Sequence, residues 1–409
     1  MTNAEIVDAA FQVWGRNFYQ KTSLSQLAAT LGVSKPALYR HFLNKQALIE
    51  AMTTRFYDDF TASIKADFDY AMRANDLEEG IFTIIQGIAG YYGRNVYAFI
   101  FSLINLYDRN LNNPAPVDQL TSRGVDMGAF SQIIKKEYTI DPVVMELIFT
   151  TLTFFMACFH ETGKSFENIP SEERIKSITA VICEIIKHGL GFTIEGINAL
   201  DFGELERQVR ETMRSTEPEP LFKAVAEAVA EAGPWAASME MVAQRLGLSK
   251  SSLYGHFKNR KDMIRRLFLG EFKRILEFAR HGISLSAVPA EQLYLGIFSI
   301  AVYLRSRPEL LATLDWIRTR NLDLGKPEKQ DEFFRLFEEV DIEPIRNRGE
   351  EEKRQVSHWI LFLIINILIR PGLAESLRQA WFPNGTMEND DIRLLYRFVT
   401  LGLGGCKQC

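Results

Sequence analysis

Residues 34–45 read "SKPALYRHFLNK" and residues 249–260 read "SKSSLYGHFKNR". Each segment gathers hydroxyls, a phenol, an imidazole and cations. Side chains of these types donate hydrogen bonds and positive charge, which phosphate oxygens and base edges accept. Enzyme chemistry has no comparable signature. The sequence holds no phosphate-cradling glycine loop, no H-E-x-x-H pair and no nucleophile elbow. His41 and His256 have no second ligand at helical spacing, so neither reads as a metal ligand. No catalytic residue, metal or cofactor is expected.

Charge supports the phosphate reading. The whole chain of 409 residues has a formal charge of −5. Yet residues 21–55 hold five Lys or Arg against Glu50, and residues 245–266 hold seven against Asp262. Positive charge is concentrated where phosphate contacts are needed.

The elements that must position these groups are short and capped. Ser23 caps a helix whose apolar residues are Leu24, Leu27, Ala28 and Leu31, and Gly32 suits a positive-φ turn. Ser34 caps the next helix, with Pro36 in its first turn. Leu38 and Phe42, at i and i+4, face the core and leave Lys35, Ala37, Tyr39, Arg40 and His41 on other faces. Two such helices joined by a short glycine turn form a helix-turn-helix, whose second helix fits the major groove.

The pattern occurs twice. Residues 22–52 and 237–267 align without a gap, with 12 of 31 pairs identical. The echo continues from 91–110 to 302–321, from "YTIDP" to "VDIEP", and from "HGLG" (188–191) to "LGLG" (401–404). The chain is read as a domain duplication. Elsewhere apolar residues recur at i, i+3, i+4 and i+7 without period-2 alternation, so the fold class is all-α.

The stretches 9–49 and 222–264 resemble the N-terminal domain of TetR-family transcriptional regulators. The resemblance implies two units, each a three-helix DNA-binding domain followed by a larger helical domain for effector binding and dimerisation. It places Ser34, Tyr39, His41 and Lys45 at phosphate-contacting positions, with Ser249, Tyr254, His256 and Arg260 or Lys261 as counterparts. Lys35, Pro36, Ala37 and Arg40 fall on the base-facing side, matched by Lys250, Ser251, Ser252 and Gly255. The family's usual glycine after the first helix is Phe18 in the first repeat and Gly233 in the second.

Expected boundaries are 1–52 and 53–202 for the first repeat, 203–219 for a helical spacer and linker, and 220–268 and 269–409 for the second repeat. One chain then supplies both reading heads as a covalent pseudo-dimer, and "KPALYR" against "KSSLYG" implies an asymmetric operator. A ligand-responsive repressor is the expected role. The rival is a small-molecule sensor or protein-interaction module that no longer reads specific DNA. A hydrophobic or aromatic effector would use residues such as Tyr92, Tyr97, Phe101, Phe155, Tyr303, Trp316 and Trp359, though each is also a natural core residue.

Cys406 and Cys409 share a C-x-x-C spacing with no partner pair, and Cys158 and Cys183 fall in apolar helical stretches. The start has no basic n-region or apolar h-region. The longest apolar runs, 147–159 and 359–369, are shorter than a bilayer span. A cytoplasmic location is expected.

Overall fold

The computed structural model describes residues 2–17, 23–107, 116–134, 142–162, 170–212, 220–307, 310, 311, 314, 331–342, 349–369 and 389–406. Among these every regular element is helical, so the all-α reading holds. The chain falls into two compact units. One is built mainly from residues 1–140 and 152–185, the other from 141–151 and 186–407.

The first unit opens with α1 (Asn3–Asn17), α2 (Leu24–Thr30), α3 (Lys35–His41) and the long α4 (Lys45–Ala71). It continues through α5 (Leu77–Arg94), α6 (Val96–Tyr107), α7 (Pro116–Thr121) and α8 (Met127–Ile134). The helices α9 (Pro142–Thr162) and α10 (Glu172–His188) contribute residues to both units. Apolar residues of α4 recur every three or four positions, and Leu48, Met52, Phe56, Phe60, Ile64 and Phe68 are all buried. Rings then stack outward from this stripe. Phe56 meets Phe101, which meets Phe11 of α1 at 5.0 Å, while Phe60 stacks on Tyr92 at 5.7 Å and Tyr92 meets Phe99 at 5.3 Å.

In the second unit come α11 (Ile194–Asn198), α12 (Phe202–Thr212), α13 (Pro220–Ala236), α14 (Met239–Arg245), α15 (Lys250–His256) and α16 (Arg260–Ile283). They are followed by α17 (Pro289–Arg305), α18 (Asp331–Phe334), α19 (Glu350–Ile369) and α20 (Asn389–Leu401). Its core is centred on Trp359, Tyr294, Tyr303, Tyr396 and Phe298, all fully buried.

The helical part of the spacer expected over 203–219 forms as α12, and it is more than a spacer. Leu205, Glu206 and Val209 are buried. Glu206 accepts hydrogen bonds from the Tyr294 hydroxyl (2.7 Å), Arg393 Nε (2.8 Å) and Asn389 Nδ2 (2.5 Å). Three donors on one carboxylate offset the cost of its burial. The tail of the first repeat is thereby fastened to helices of the second.

The repeated glycine turns also meet inside this unit. Gly189 has φ +57° and Gly402 has φ +63°, values that favour glycine. A Cβ on Gly189 would lie 2.6 Å from Gly402 N, and one on Gly402 would overlap the Lys187 carbonyl. Leu190 N–H donates to the Val399 carbonyl at 2.8 Å, and Phe192 N–H to that of Thr400 at 3.1 Å. The "HGLG" and "LGLG" echoes thus lie against each other.

Two sequence expectations are modified. α13 runs through Gly233 to Ala236, so the glycine that the resemblance places after the first helix lies within it. In α9, the stretch Val143–His160 is long and apolar enough to cross a bilayer, but 72% of it is buried inside the protein, as in a core helix. Cys406 is buried, and burial pushes its thiol up to about 12, so the group stays protonated. Cys409 and Phe18 lie outside the described residues.

Candidate nucleic-acid interface

The helix-turn-helix of the first repeat is built by local hydrogen bonds. Ser23 accepts from Gln26 N–H while the Gln26 side chain accepts from Ser23 N–H, closing a capping box. After α2, Gly32 (φ +65°) donates its N–H to Ala29, and Val33 donates to Ala28, the paired bonds of a Schellman turn. Ser34 then caps α3 by accepting from Ala37 N–H at 3.3 Å. Leu38 and Phe42 are buried and fix which face looks outward.

The second repeat reproduces each step. Ser238 caps α14, Gly247 (φ +64°) turns the chain, and Leu248 N–H donates to Ala243 as Val33 does to Ala28. Ser249 caps α15 through Ser252 N–H at 3.1 Å, and Leu253 and Phe257 are buried. Asn44 and Asn259 cap the following helices, each bonding a backbone N–H at 2.9 Å.

The structure brings the sequence-predicted residues of each head onto one short helix and the turn after it. Ser34, Lys35, Pro36, Tyr39 and Arg40 are exposed, whereas Ala37, His41 and Lys45 are half-buried. Lys35 Nζ lies 5.7 Å from the Tyr39 ring, so each side chain restrains the other. In the second head Ser249, Lys250, Ser251, Ser252, Tyr254, Gly255 and His256 are exposed and Arg260 is half-buried. The Lys261 side chain lies outside the described residues. Burial lowers the Lys45 and Arg260 pKa values from their ordinary positions, a direction consistent with cations whose stems pack on protein.

Sequence reasoning missed Asn3, whose Oδ1 lies 2.7 Å from His41 Nδ1 and holds the ring in place. The pairing spans 38 residues, and no local pattern announces it. Nor did it single out Leu43, which is 81% exposed in the turn after α3.

Comparison with known proteins bears on both heads. The model for the N-terminal domain of bacterial regulatory proteins of the tetR family matches residues 6–52 and again 221–267. The chain carries the tetR-family N-terminal domain twice. It is 37% identical over 54 residues to the uncharacterized HTH-type transcriptional regulator YvkB of Bacillus subtilis, covering 13% of this chain. It is 35% identical over 60 residues to the HTH-type transcriptional repressor ComR of Escherichia coli, covering 15% of this chain. The match spans 29% of the length of each of these relatives.

The two repeats differ in the residues expected to line an effector pocket. Tyr92, Phe101 and Phe155 are buried in aromatic contacts of the first repeat, and Tyr97 is half-buried. His160 Nε2 lies 3.0 Å from the Tyr92 carbonyl, and its Nδ1 has no hydrogen-bond partner among the described residues. In the second repeat Tyr303 is fully buried with its hydroxyl donating to Glu271 at 2.7 Å. Trp359 donates from Nε1 to Thr151 Oγ1 at 3.0 Å. Trp316 lies outside the described residues. A cleft of about 340 Å³ beside Glu206 and Arg210 of α12 and one of about 170 Å³ beside Phe337 and Lys353 contain none of these aromatics.

Proposed function

We propose that the chain is a sequence-specific DNA-binding transcriptional regulator, a repressor released from its operator by a small hydrophobic or aromatic effector. One observation carries the reading. Both heads keep the same capped recognition helix with an exposed Ser-Lys N-terminus and an exposed tyrosine, in a chain that is negative overall. The Escherichia coli relative is a transcriptional repressor, which supports the sign of regulation.

The fused chain acts as a pseudo-dimer in the cytoplasm, with operator half-sites that differ as "KPALYR" differs from "KSSLYG". The reciprocal approach of Gly189 and Gly402 supports this reading, because the two repeats then meet through equivalent turns. The first repeat is the effector-binding one. Its aromatic cluster includes a buried imidazole nitrogen able to accept a hydrogen bond, whereas the second repeat fills the matching region with ionic contacts. Effector coupling of this kind is worth about 1–3 kcal/mol, or 5–150-fold in affinity.

A gel shift against fragmented genomic DNA, run with excess competitor over a salt series, tests the reading. Retention of particular fragments, with log K falling linearly against log salt, is the expected result. Binding that never outcompetes random DNA removes the proposal in favour of a sensor or protein-interaction module.

A further inference from the structure

The two heads share a fold but not a surface. Over residues 30–51 the first head carries Lys35, Arg40 and Lys45 against Glu50, while the aligned 245–266 carries seven Lys or Arg against Asp262. In the sequence the added cations fall outside the recognition helix, before it at Arg245 and after it over 258–266. Lys258 takes the place of the exposed Leu43, Lys261 that of Gln46, and Arg265 that of Glu50.

On the recognition helix the trend reverses. Arg40 is exposed and makes no ion pair among the described residues, so its guanidinium is available. Its aligned position is Gly255, where an added Cβ would meet nothing within 4 Å. Nor is Gly255 among the positive-φ glycines. Neither packing nor backbone requires glycine there, although glycine weakens a helix interior. Residues 251 and 252, beside it, are serines whose hydroxyls serve several bases alike, and Ser251 Oγ already lies 2.9 Å from Ser249 Oγ. Arginine, by contrast, matches O6 and N7 of guanine with two parallel donors.

We propose that the heads divide the work on DNA: Arg40 makes the first head the reader of a guanine, and the second head is an electrostatic anchor with little base discrimination. This rests on the DNA-reading function proposed above. The first head then sets which sequence is bound, and the second sets how strongly binding responds to salt.

The test uses the full chain and fluorescence anisotropy on the duplex recovered by selection, on duplexes with either half-site scrambled, and over a potassium chloride series. Scrambling one half-site should weaken wild-type binding far more than scrambling the other. Arg40→Ala should lose about 5- to 150-fold on the intact site and become indifferent to scrambling that half-site. Lys258→Leu should weaken binding to all duplexes alike and reduce the log–log salt slope by about 0.9. Gly255→Arg, whose added Cβ meets nothing within 4 Å, should add a guanine preference to the weaker half-site. Both Arg40 and Gly255 are exposed, and circular dichroism checks that each variant stays folded. Equal losses from scrambling either half-site, or an Arg40→Ala protein with unchanged sequence preference, would overturn the division while leaving DNA reading intact. A wild-type protein without any sequence preference overturns both.

Discussion

The helices that leave the two heads, α4 and α16, run in the same register until one core-facing position separates them. In the first repeat that position is Phe56, 5% exposed and packed against Phe60, Tyr91 and Phe101. In the second, 215 residues on, it is Glu271, 3% exposed. Glu271 accepts from the Tyr303 hydroxyl and from Arg274 Nη1, each at 2.7 Å, and Arg307 Nε lies 3.8 Å away. The Arg307 guanidinium sits 4.6 Å from the Tyr303 ring centre. Tyr92, the counterpart of Tyr303, stacks on a phenylalanine instead. Burial, reinforced by the Glu271 carboxylate, holds the Tyr303 hydroxyl far above its ordinary pKa, so it remains a donor.

The contrast teaches how duplicated cores specialise. Apolar contact is non-directional, and an aromatic cluster repacks around changes of shape at modest cost. A buried carboxylate shared by three partners is directional, and losing one member strands the others. On the function proposed above, the first repeat's apolar core is the one that repacks around an effector, whereas directional contacts fix the second.

Breaking the lock should have the largest effect. Glu271→Ala removes the buried carboxylate that Tyr303, Arg274 and Arg307 share and should cost about 3–5 kcal/mol in urea unfolding followed by circular dichroism. A loss below about 1 kcal/mol would mean the ionic cluster does not hold the second repeat together.

Acid should act on the first repeat. Burial lowers the His160 pKa from 6.5 to about 4, so the fold favours the neutral ring. As pH falls below about 6.5 the unfolded chain takes the proton first, and stability declines until about pH 4, by up to about 3 kcal/mol. His160→Gln should flatten that part of the urea-midpoint profile; an unchanged slope would assign it to other groups.

Smaller effects sharpen the equivalence of the repeats. Gly402→Ala combines left-handed strain with overlap against Lys187, and should cost about 2 kcal/mol or more. Gly189→Ala, meeting Gly402 N and Val399 O at 2.6 Å, should do much the same. A harmless result at one turn alone would show that the two echoes are not matched in role. Ser34→Ala and Ser249→Ala each remove one helix cap and should lower stability equally, by about 1 kcal/mol.

The heads were legible because their determinants are local. Ser23, Gly32, Ser34 and the Leu38/Phe42 pair act within a few residues of one another, and the second repeat restates them at a fixed offset. The bonds that fasten the rest are not local. Glu206 finds its partners 88, 183 and 187 residues away, so the charged segment around it reads as a solvated spacer. Tyr303 and Trp359 read as pocket aromatics because their polar partners, Glu271 and Thr151, are set by tertiary packing. Gly233 misled in another way, since glycine also adopts helical φ where the helix continues. One warning was present in the repeat itself: an acidic residue stands at 271 where its partner is Phe56.

Selection of bound duplexes from a random pool, with the protein-to-DNA ratio of the enriched complex read by native mass spectrometry, would show whether one chain reads DNA as a pseudo-dimer. Two unlike half-sites on one duplex, held by a single chain, are expected. A perfect palindrome, or a complex that forms only with two chains, would contradict that reading.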